Sequence, residues 1–224
     1  MRELRWLSLV CLLGSMAAQA DLDTSRLRAG TSTPPPIDEE RARAGDVEAQ
    51  FRLGVRLASS DGVNADPQQA VRWFTRAAEQ GHAEAAASLG VMYSEGLGVP
   101  RDDAQSLAWS QRAAERGSLR GKYSMGLAHY HGRGVARDYA TALRWYRDAA
   151  EGGYPQAMNN LGIMHGLGEG VPRDDAQAYA WFILATERGD ENAQTNRDLT
   201  AAELDQAARA AGEARARELA RTIP

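Results

Sequence analysis

Residues 83–117 read AEAAASLGVMYSEGLGVPRDDAQSLAWSQRAAERG, and much of the remaining chain repeats this pattern. Five of its positions recur at intervals of 36 residues and form five independent columns. These columns are Trp73, Trp109, Trp145 and Trp181; Gly54, Gly90, Gly126 and Gly162; Gly62, Gly98, Gly134 and Gly170; Asp66, Asp102, Asp138 and Asp174; and Gly81, Gly117, Gly153 and Gly189. A fixed period of this size predicts a solenoid, in which each repeat is one supersecondary unit stacked on the next.

Each repeat predicts two helices joined by a glycine turn. Apolar and small residues at helical spacing mark the first helix: Ala85, Leu89, Met92 and Tyr93. Asp102 starts the second helix, because its carboxylate can accept a hydrogen bond from a free first-turn N–H and suits the helix dipole. Gly117 follows that helix where a left-handed residue is favoured. Gly96 and Gly98 supply the positive φ angles of the turn between the two helices.

The glycine and tryptophan columns predict how the two helices pack. Gly90 lies on the inward stripe of the first helix, where a missing side chain lets the partner helix approach closely. Trp109 and its equivalents are expected to fill the space between helix pairs, with Ala113 and Ala114 beside them.

Residues 1–20 are expected to form a signal peptide. Arg2 and Arg5 precede a short apolar run, and Ala18-Gln19-Ala20 is a cleavage signal of the A-x-A type. An N-terminal anchor that stays attached is the alternative. Cys11 is the only cysteine and lies inside this segment, so the mature chain, from Asp21, is expected to contain no disulfide.

The remaining chain divides into a linker, repeats and caps. Residues 21–36 form a proline-rich linker, and residues 37–189 form the solenoid, with residues 37–45 as a degenerate cap. Four full repeats follow the cap, at about 46–81, 82–117, 118–153 and 154–189. Residues 190–224 are expected to form C-terminal capping helices. Within them, Thr200 and Glu203 resemble a capping box that opens a last helix to about Ala220. Its apolar stripe comprises Leu204, Ala207, Ala208, Ala211 and Leu219.

The charge pattern excludes some partner classes. The formal net charge is −4, and no block of like charge indicates a nucleic-acid or anionic-membrane surface. No segment after residue 20 is long and apolar enough to cross a bilayer, so we expect no integral membrane segment after signal cleavage.

No catalytic, cofactor or metal constellation emerges from the sequence. His129 and His165 stand 36 residues apart, but they occupy the Tyr93 column, which favours core filling over metal binding. The aspartate columns favour helix capping over acid–base catalysis. The glycine-rich residues 166–170 have no G-K-[S/T] sequence, which argues against a phosphate loop. We therefore expect a non-enzymatic protein without cofactor or metal.

The pattern Leu89-Gly90, Tyr93, Gly96-Leu97-Gly98-Val99, Asp102, Trp109, Ala113-Ala114 and Gly117 resembles the Sel-one-like repeat family, a relative of the tetratricopeptide repeat. The resemblance extends over residues 46–189. It implies an all-α fold, a right-handed α-solenoid of helix–turn–helix repeats with capping helices at both ends. Such proteins typically act as scaffolds or adaptors for protein complexes. Some secreted members have a disulfide in each repeat; this chain lacks those cysteines, so that subgroup's binding properties are not carried over.

Related helical repeats bind ligands with first-helix residues that point away from the core. On that basis the candidate partner-binding residues of the concave face are Glu95, Arg120, Tyr123, Tyr130, His131 and Asn159. The aromatic and polar members have the composition of a recognition hot spot. The alternative is that these aromatics only pack on neighbouring helices.

The leading functional hypothesis is a periplasmic or secreted scaffold that binds a protein or peptide in its groove. The alternative from another class is an envelope enzyme or glycan-binding protein acting on peptidoglycan. A third hypothesis is a cytosolic adaptor, which applies if the first twenty residues are not cleaved.

Overall fold

A computed structural model describes residues 36–58 and 65–224 of the chain. The expected signal peptide, almost all of the linker and Gly62 lie outside these residues. Within the described ranges, all of the assigned regular secondary structure is helical. The described chain forms two compact units, one extending to Ser124 and the other comprising residues 125–224.

Eleven helices follow one another in the described ranges, and their bounds fit the 36-residue period. They are α1 Pro36–Arg43, α2 Val47–Ala58, α3 Pro67–Glu79, α4 Ala83–Glu95, α5 Asp103–Glu115, α6 Leu119–His131, α7 Tyr139–Glu151, α8 Pro155–Leu167, α9 Asp175–Glu187, α10 Glu191–Glu203 and α11 Gln206–Ala220. Within repeats, α2 packs on α3, α4 on α5 and α8 on α9, and α11 packs mainly on α9.

The aspartate column caps the second helix of each repeat, as predicted. Asp66, Asp138 and Asp174 each accept a hydrogen bond from the backbone N–H three residues ahead, at 2.9–3.1 Å. Asp102 accepts from two backbone N–H groups, each at 3.0 Å. A side-chain hydrogen bond from Thr141, helped by the Thr141 backbone N–H, lowers the pKa of Asp138. These hydrogen bonds hold the helix starts.

The turn between paired helices is closed by backbone contacts. Asp102 N–H donates to the carbonyl of Tyr93 at 2.9 Å, and Asp138 makes the same bond to His129. Gly98 has a φ of 71°, and a Cβ there would lie 2.3 Å from the carbonyl oxygen of Pro67. Only glycine fits this position, because the backbone is left-handed and another helix start lies against it.

In three of the four repeats, the residue after the tryptophan provides a buried aromatic ring. Phe74, Tyr146 and Phe182 are at most 1% exposed. Each ring lies against the column glycine of the first helix, and a Cβ on Gly162 would lie 2.5 Å from the Phe182 ring. Repeat two is the exception, because Ser110 takes the place of the ring.

Trp181 fully meets the expectation that the tryptophans fill the space between helix pairs, whereas Trp73 and Trp109 are only partly buried where they pack against the core. Trp181 is 5% exposed, but Trp73, Trp109 and Trp145 are partly exposed. The guanidinium groups of Arg76 and Arg112 lie 4.6 Å over the rings of Trp73 and Trp109. Neighbouring side chains on a helix point about 100° apart, and it is the residue after each tryptophan that points inward.

The N-terminal cap has the expected turn geometry. Gly45 has a φ of 101°, as expected for a residue in the column of helix-ending glycines. Ala42 is 1% exposed, and its carbonyl accepts a hydrogen bond from Gln50 Nε2 at 3.1 Å. Helix α1 therefore packs on α2 in the manner of a preceding second helix.

At the C-terminal end, the predicted capping box is wrong. Helix α10 continues through Thr200, whose hydroxyl donates to the carbonyl of Asn196 at 2.8 Å. The last helix starts after Asp205, which accepts from Ala208 N at 2.8 Å, because an N-cap aspartate competes well with threonine. It ends at Ala220, as expected.

The apolar stripe of this last helix also differs from the prediction. Its buried members are Gly212 and Ala216, whereas Ala207 and Ala211 are exposed. A Cβ on Gly212 would lie 2.8 Å from the Ala176 carbonyl oxygen, so α11 closely approaches α9 there.

His129 and His165 lie near the ends of the first helices of their repeats, and each has a buried Nδ1. Burial lowers the pKa of His165, and the nearby Arg147 and Arg215 act in the same direction, whereas Asp174 opposes them. The fold therefore favours the neutral imidazole of His165. This agrees with its expected place as a core filler in the tyrosine column.

Two adjacent aromatics test the core assignment. We expect Phe74→Ala to lower the free energy of unfolding by about 3–5 kcal/mol, because it removes a fully buried ring. Trp73→Ala should lower it by about 2 kcal/mol, because less apolar area is removed from burial. Urea denaturation followed by circular dichroism measures both. A loss for Trp73→Ala equal to or larger than that for Phe74→Ala would contradict the assignment.

The buried histidine predicts a pH dependence of stability. An unfolded histidine gains a proton as the pH falls below about 6.5, whereas His165, with its lowered pKa, resists protonation in the fold. Stability should therefore be complete above that pH and decline as the pH falls toward the folded pKa. Melting temperatures measured between pH 8 and 5 should decline less for His165→Tyr, which places a tyrosine where repeat two has Tyr93. An identical decline in both proteins would show that His165 does not contribute.

Candidate functional site

The predicted partner-binding residues are divided between the two compact units. Glu95, Arg120 and Tyr123 belong to the first unit, and Tyr130, His131 and Asn159 belong to the second. The predicted set therefore falls into one group in each unit.

In the first unit, Arg120 is bound to the preceding repeat. Its Nη2 donates to the Glu84 carbonyl at 2.9 Å and to Ser88 Oγ at 2.7 Å. Its Nε lies 3.4 Å from Glu84 Oε2, which is an ion pair without the geometry of a hydrogen bond. Only 13% of the Arg120 side chain is exposed. Arg120 therefore joins α6 to α4, and little of its guanidinium faces solvent.

The other two predicted residues of this unit differ in exposure. Glu95 is exposed at the end of α4, and one of its carboxylate oxygens accepts a hydrogen bond from Ser94 Oγ at 3.3 Å. Tyr123 is partly exposed on α6. The first unit thus offers one exposed carboxylate and one partly exposed ring to a partner.

In the second unit, Tyr130 is the centre of an aromatic cluster. Its ring centroid lies 5.0 Å from that of His131, 5.2 Å from that of Tyr139 and 6.5 Å from that of Tyr146. The Tyr130 hydroxyl donates to Glu169 Oε2 at 2.6 Å. Glu169 lies in the glycine turn of repeat four, so this bond joins the turn to helix α6. Sequence analysis did not identify Glu169, because its column holds leucine and arginine in the two preceding repeats.

Burial favours the uncharged forms of Tyr130 and His131 in this cluster. Burial, followed by the hydrogen bond to Glu169, strongly raises the pKa of the Tyr130 hydroxyl. Burial, with a contribution from Arg133, lowers the pKa of His131. At neutral pH Tyr130 is therefore a hydrogen-bond donor and His131 a neutral ring.

A shallow depression lies beside this cluster. It is lined by Leu127, Tyr130, His131, Tyr146, Asn160 and Ile163, and its enclosed volume is about 10 Å³. Tyr146 and Ile163 are 1% and 3% exposed and form its floor. Leu127, Tyr130 and His131 are partly exposed and form its rim. We call this feature the Asn160 depression.

Asn159 is not part of the exposed surface, contrary to the prediction. It is 5% exposed, and its Oδ1 accepts a hydrogen bond from Asn196 Nδ2 at 2.8 Å. The cause is helix α10, which provides Asn196 as a partner. The next residue, Asn160, lines the depression instead. The sequence did contain a signal for Asn160. It stands immediately before the Leu161-Gly162 pair, in a column that holds arginine or serine in the other repeats.

A second, open cleft occurs in the same unit, and sequence analysis did not find it. It is lined by Arg147, Glu151, His165, Val171, Pro172, Arg173, Asp174, Gln177, Trp181 and Leu219. At its edge, Arg215 Nη1 donates to both carboxylate oxygens of Asp174, at 2.7 and 2.9 Å. This ion pair fastens α11 to the start of α9. The last helix therefore forms part of the cleft, and its packing on α9 helps to define the cleft.

The described residues provide no set of ligands for a metal. Within residues 36–58 and 65–224, no three His, Cys, Asp or Glu side chains form a group that could bind a metal ion. In the same ranges, no helix is long and apolar enough to cross a membrane.

Two solved structures show the same architecture. A protective antigen of uropathogenic Escherichia coli strains, with an SLR fold, is 42% identical, with a TM-score of 0.66, and the match covers 71% of this chain and 34% of that one. This chain thus spans about a third of that antigen. A Sel1 repeat protein from Oxalobacter formigenes is 29% identical, with a TM-score of 0.71, and the match covers 79% of this chain and 73% of that one. No match was found among curated proteins.

The repeat family itself matches four consecutive segments. The Sel1 repeat matches residues 47–82, 83–118, 120–154 and 155–190, which is more than half of the chain. The fold is an α-solenoid, as the sequence predicted. Proteins of this family generally mediate protein–protein interaction and are generally non-catalytic scaffolds. The chain belongs to the Sel1 repeat family.

Proposed function

We propose that this protein is a non-enzymatic scaffold of the bacterial cell envelope and that it binds a protein or peptide partner. The family's general role supports the scaffold class, and both solved relatives are bacterial. The proposed location is periplasmic or secreted. It rests on the signal-peptide pattern of residues 1–20, in which two arginines precede an apolar run and an A-x-A cleavage signal.

The observation that supports a binding role most strongly is the Asn160 depression. Its rim consists of Leu127, Tyr130 and His131, which are partly exposed and lie close together at the end of helix α6. Aromatic residues grouped around an apolar floor are typical of interface hot spots. The rim is also held in place, because Tyr130 is hydrogen-bonded to Glu169 and packs on Tyr139. A preorganised surface of this kind loses little side-chain entropy when a partner binds.

The surface of the first unit contributes less to this proposal. Arg120 would have to exchange its bonds to Glu84 and Ser88 before it could bind a partner. Glu95 and Tyr123 remain accessible and are secondary candidates. We therefore assign the principal contact to the second unit.

Photo-crosslinking in cells tests this assignment whatever the identity of the partner. We expect p-benzoylphenylalanine at position 127 to give a discrete crosslinked species on irradiation. The matched control places the same group at position 199, because Leu199 is 48% exposed in the same unit and does not line the depression. Gel mobility and mass spectrometry identify the adduct. Equal adducts at both positions, or none at 127, would contradict the assignment.

The envelope location has its own test. Mass spectrometry of the protein purified from the periplasmic fraction should give an N-terminus at Asp21. Recovery from the cytosolic fraction with residues 1–20 attached would favour the adaptor hypothesis instead.

A further inference from the structure

The open cleft of the second unit has the dimensions of a ligand site. Its volume is about 710 Å³, and ligand pockets in proteins typically measure roughly 300–1,000 Å³. Its walls come from helices α7, α8, α9 and α11 and from the turn that contains Val171 and Pro172. None of its lining residues lines the Asn160 depression, so the two features are separate surfaces. We call it the Trp181 cleft.

Trp181 gives the first indication of what the cleft binds. It is 5% exposed and lines the cleft, and its Nε1 is buried without a hydrogen-bond partner among the described residues. A buried indole N–H usually has a partner. The other three tryptophans of the column are partly exposed, so this gap is particular to the fourth repeat. Because an indole nitrogen only donates, the missing partner is an acceptor such as a carboxylate or carbonyl oxygen.

The arginines around the cleft give the second indication. Arg173 and Arg215 are each held by two hydrogen bonds to an aspartate at the start of α9. Arg147 is exposed on α7 and lines the cleft, and it makes no ion pair within the part of the chain that the structure describes. Burial lowers the pKa of His165 in the same cleft, and the positive charges of Arg147 and Arg215 act in the same direction. An unpaired guanidinium therefore faces this wall of the cleft.

Glu151 opposes an anionic ligand without excluding one. It lines the cleft one turn after Arg147 on α7, and its carboxylate is exposed. It makes no ion pair with any residue in the described ranges. A glutamate four residues after an arginine is in the less favourable order for an ion pair on a helix. Arg147 is therefore available to an external carboxylate, and Glu151 reduces the strength of that interaction.

We propose that the Trp181 cleft binds an acidic peptide segment of a partner protein. A glutamate or aspartate side chain of the segment pairs with Arg147, because a guanidinium binds a carboxylate through two parallel hydrogen bonds. An oxygen of the same segment accepts from the Trp181 N–H. A neighbouring apolar side chain packs on Pro172 and Leu219, which are exposed and partly exposed in the free protein. Since Nε1 is buried in the free protein, side chains of the wall shift when the segment binds.

Nuclear magnetic resonance of the full chain tests the inference with two matched probes. They are acetyl-Ala-Leu-Glu-Leu-Ala-amide and the same peptide with glutamine in place of glutamate. We expect the Trp181 indole N–H resonance, assigned by its absence in Trp181→Phe, to shift with the glutamate peptide. The glutamine peptide should bind roughly tenfold more weakly, as expected for the loss of a charged hydrogen bond. No indole shift at millimolar glutamate peptide, or equal binding of both peptides, would overturn the inference.

An ordered water is the other acceptor that the indole could have. Cross-relaxation between the Trp181 indole hydrogen and a bound water, with no response to the glutamate peptide, would assign the site to water only and overturn the inference.

Three variants of helix α7 test the charges. Arg147→Gln should weaken binding of the glutamate peptide roughly tenfold. The matched control Arg144→Gln removes the same charge from an exposed residue that does not line the cleft, and it should leave binding unchanged. Glu151→Gln should strengthen binding, because it removes the opposing carboxylate. Equal losses in the two arginine variants, or weaker binding in Glu151→Gln, would contradict the proposed pairing with Arg147.

This inference goes beyond the proposed function, and the two can fail independently. The peptide titration reports on the Trp181 cleft, and the crosslink from position 127 reports on the Asn160 depression. Binding of the glutamate peptide to a chain that gives no crosslink would support the cleft and contradict the depression. A crosslink without peptide binding would do the reverse.

Discussion

The contact on which three of the four repeats depend is an aromatic ring lying on a helix backbone at a glycine. Phe182 covers Gly162, Tyr146 covers Gly126 and Phe74 covers Gly54, and a Cβ on any of these glycines would overlap the ring. The ring thereby fills the space between two helices that are also close to each other, which gives dense packing from a small number of large side chains. In repeat two, Ser110 replaces the ring, and a Cβ on Gly90 would lie 3.3 Å from the Ser106 carbonyl oxygen. The glycine is therefore required in both arrangements, although for different neighbours.

Once the ring and the glycine fix the helix pair, backbone and cap bonds fix its turn. The cap aspartate uses its carboxylate to hold the second helix and its N–H to hold the end of the first helix, as Asp138 does with Thr141 and His129. None of these cap and turn groups lines the Asn160 depression. Because a solenoid is stable through its core columns and the contacts between neighbouring repeats, other positions of the first helix can vary in sequence without loss of the fold. Such positions, with the core ring of Tyr146 beneath them, form the Asn160 depression.

Periodicity in the sequence predicted the helices of the repeats, their aspartate N-caps and the glycine turns, because each of these depends on one residue type at a fixed position. It did not predict which of two adjacent aromatics is buried. The tryptophan column has the same residue in all four repeats, so the sequence pattern assigned it to the core. The buried column is not recognisable as a repeat, because it contains different residues: Phe74, Ser110, Tyr146 and Phe182. For the same reason, the sequence pointed to Asn159 as a surface residue, whereas Asn160 is the one that lines the depression. In both cases the error is a single residue, which on a helix changes the direction of a side chain by about 100°.

The column of Asn160 shows how function can arise from a repeat that has changed its polar contacts. In the first unit, Ser88 is satisfied by Glu84 and Arg120, so the polar group serves the packing of α4 and α6. In the second unit, the corresponding carboxamide is larger, and the corresponding partner is the shorter and exposed Asn192. The column therefore binds a neighbouring repeat in one unit and lines a surface depression in the other. Because the core ring and glycine of the repeat are kept, this change in one polar column alters the surface without altering the packing of the helix pair.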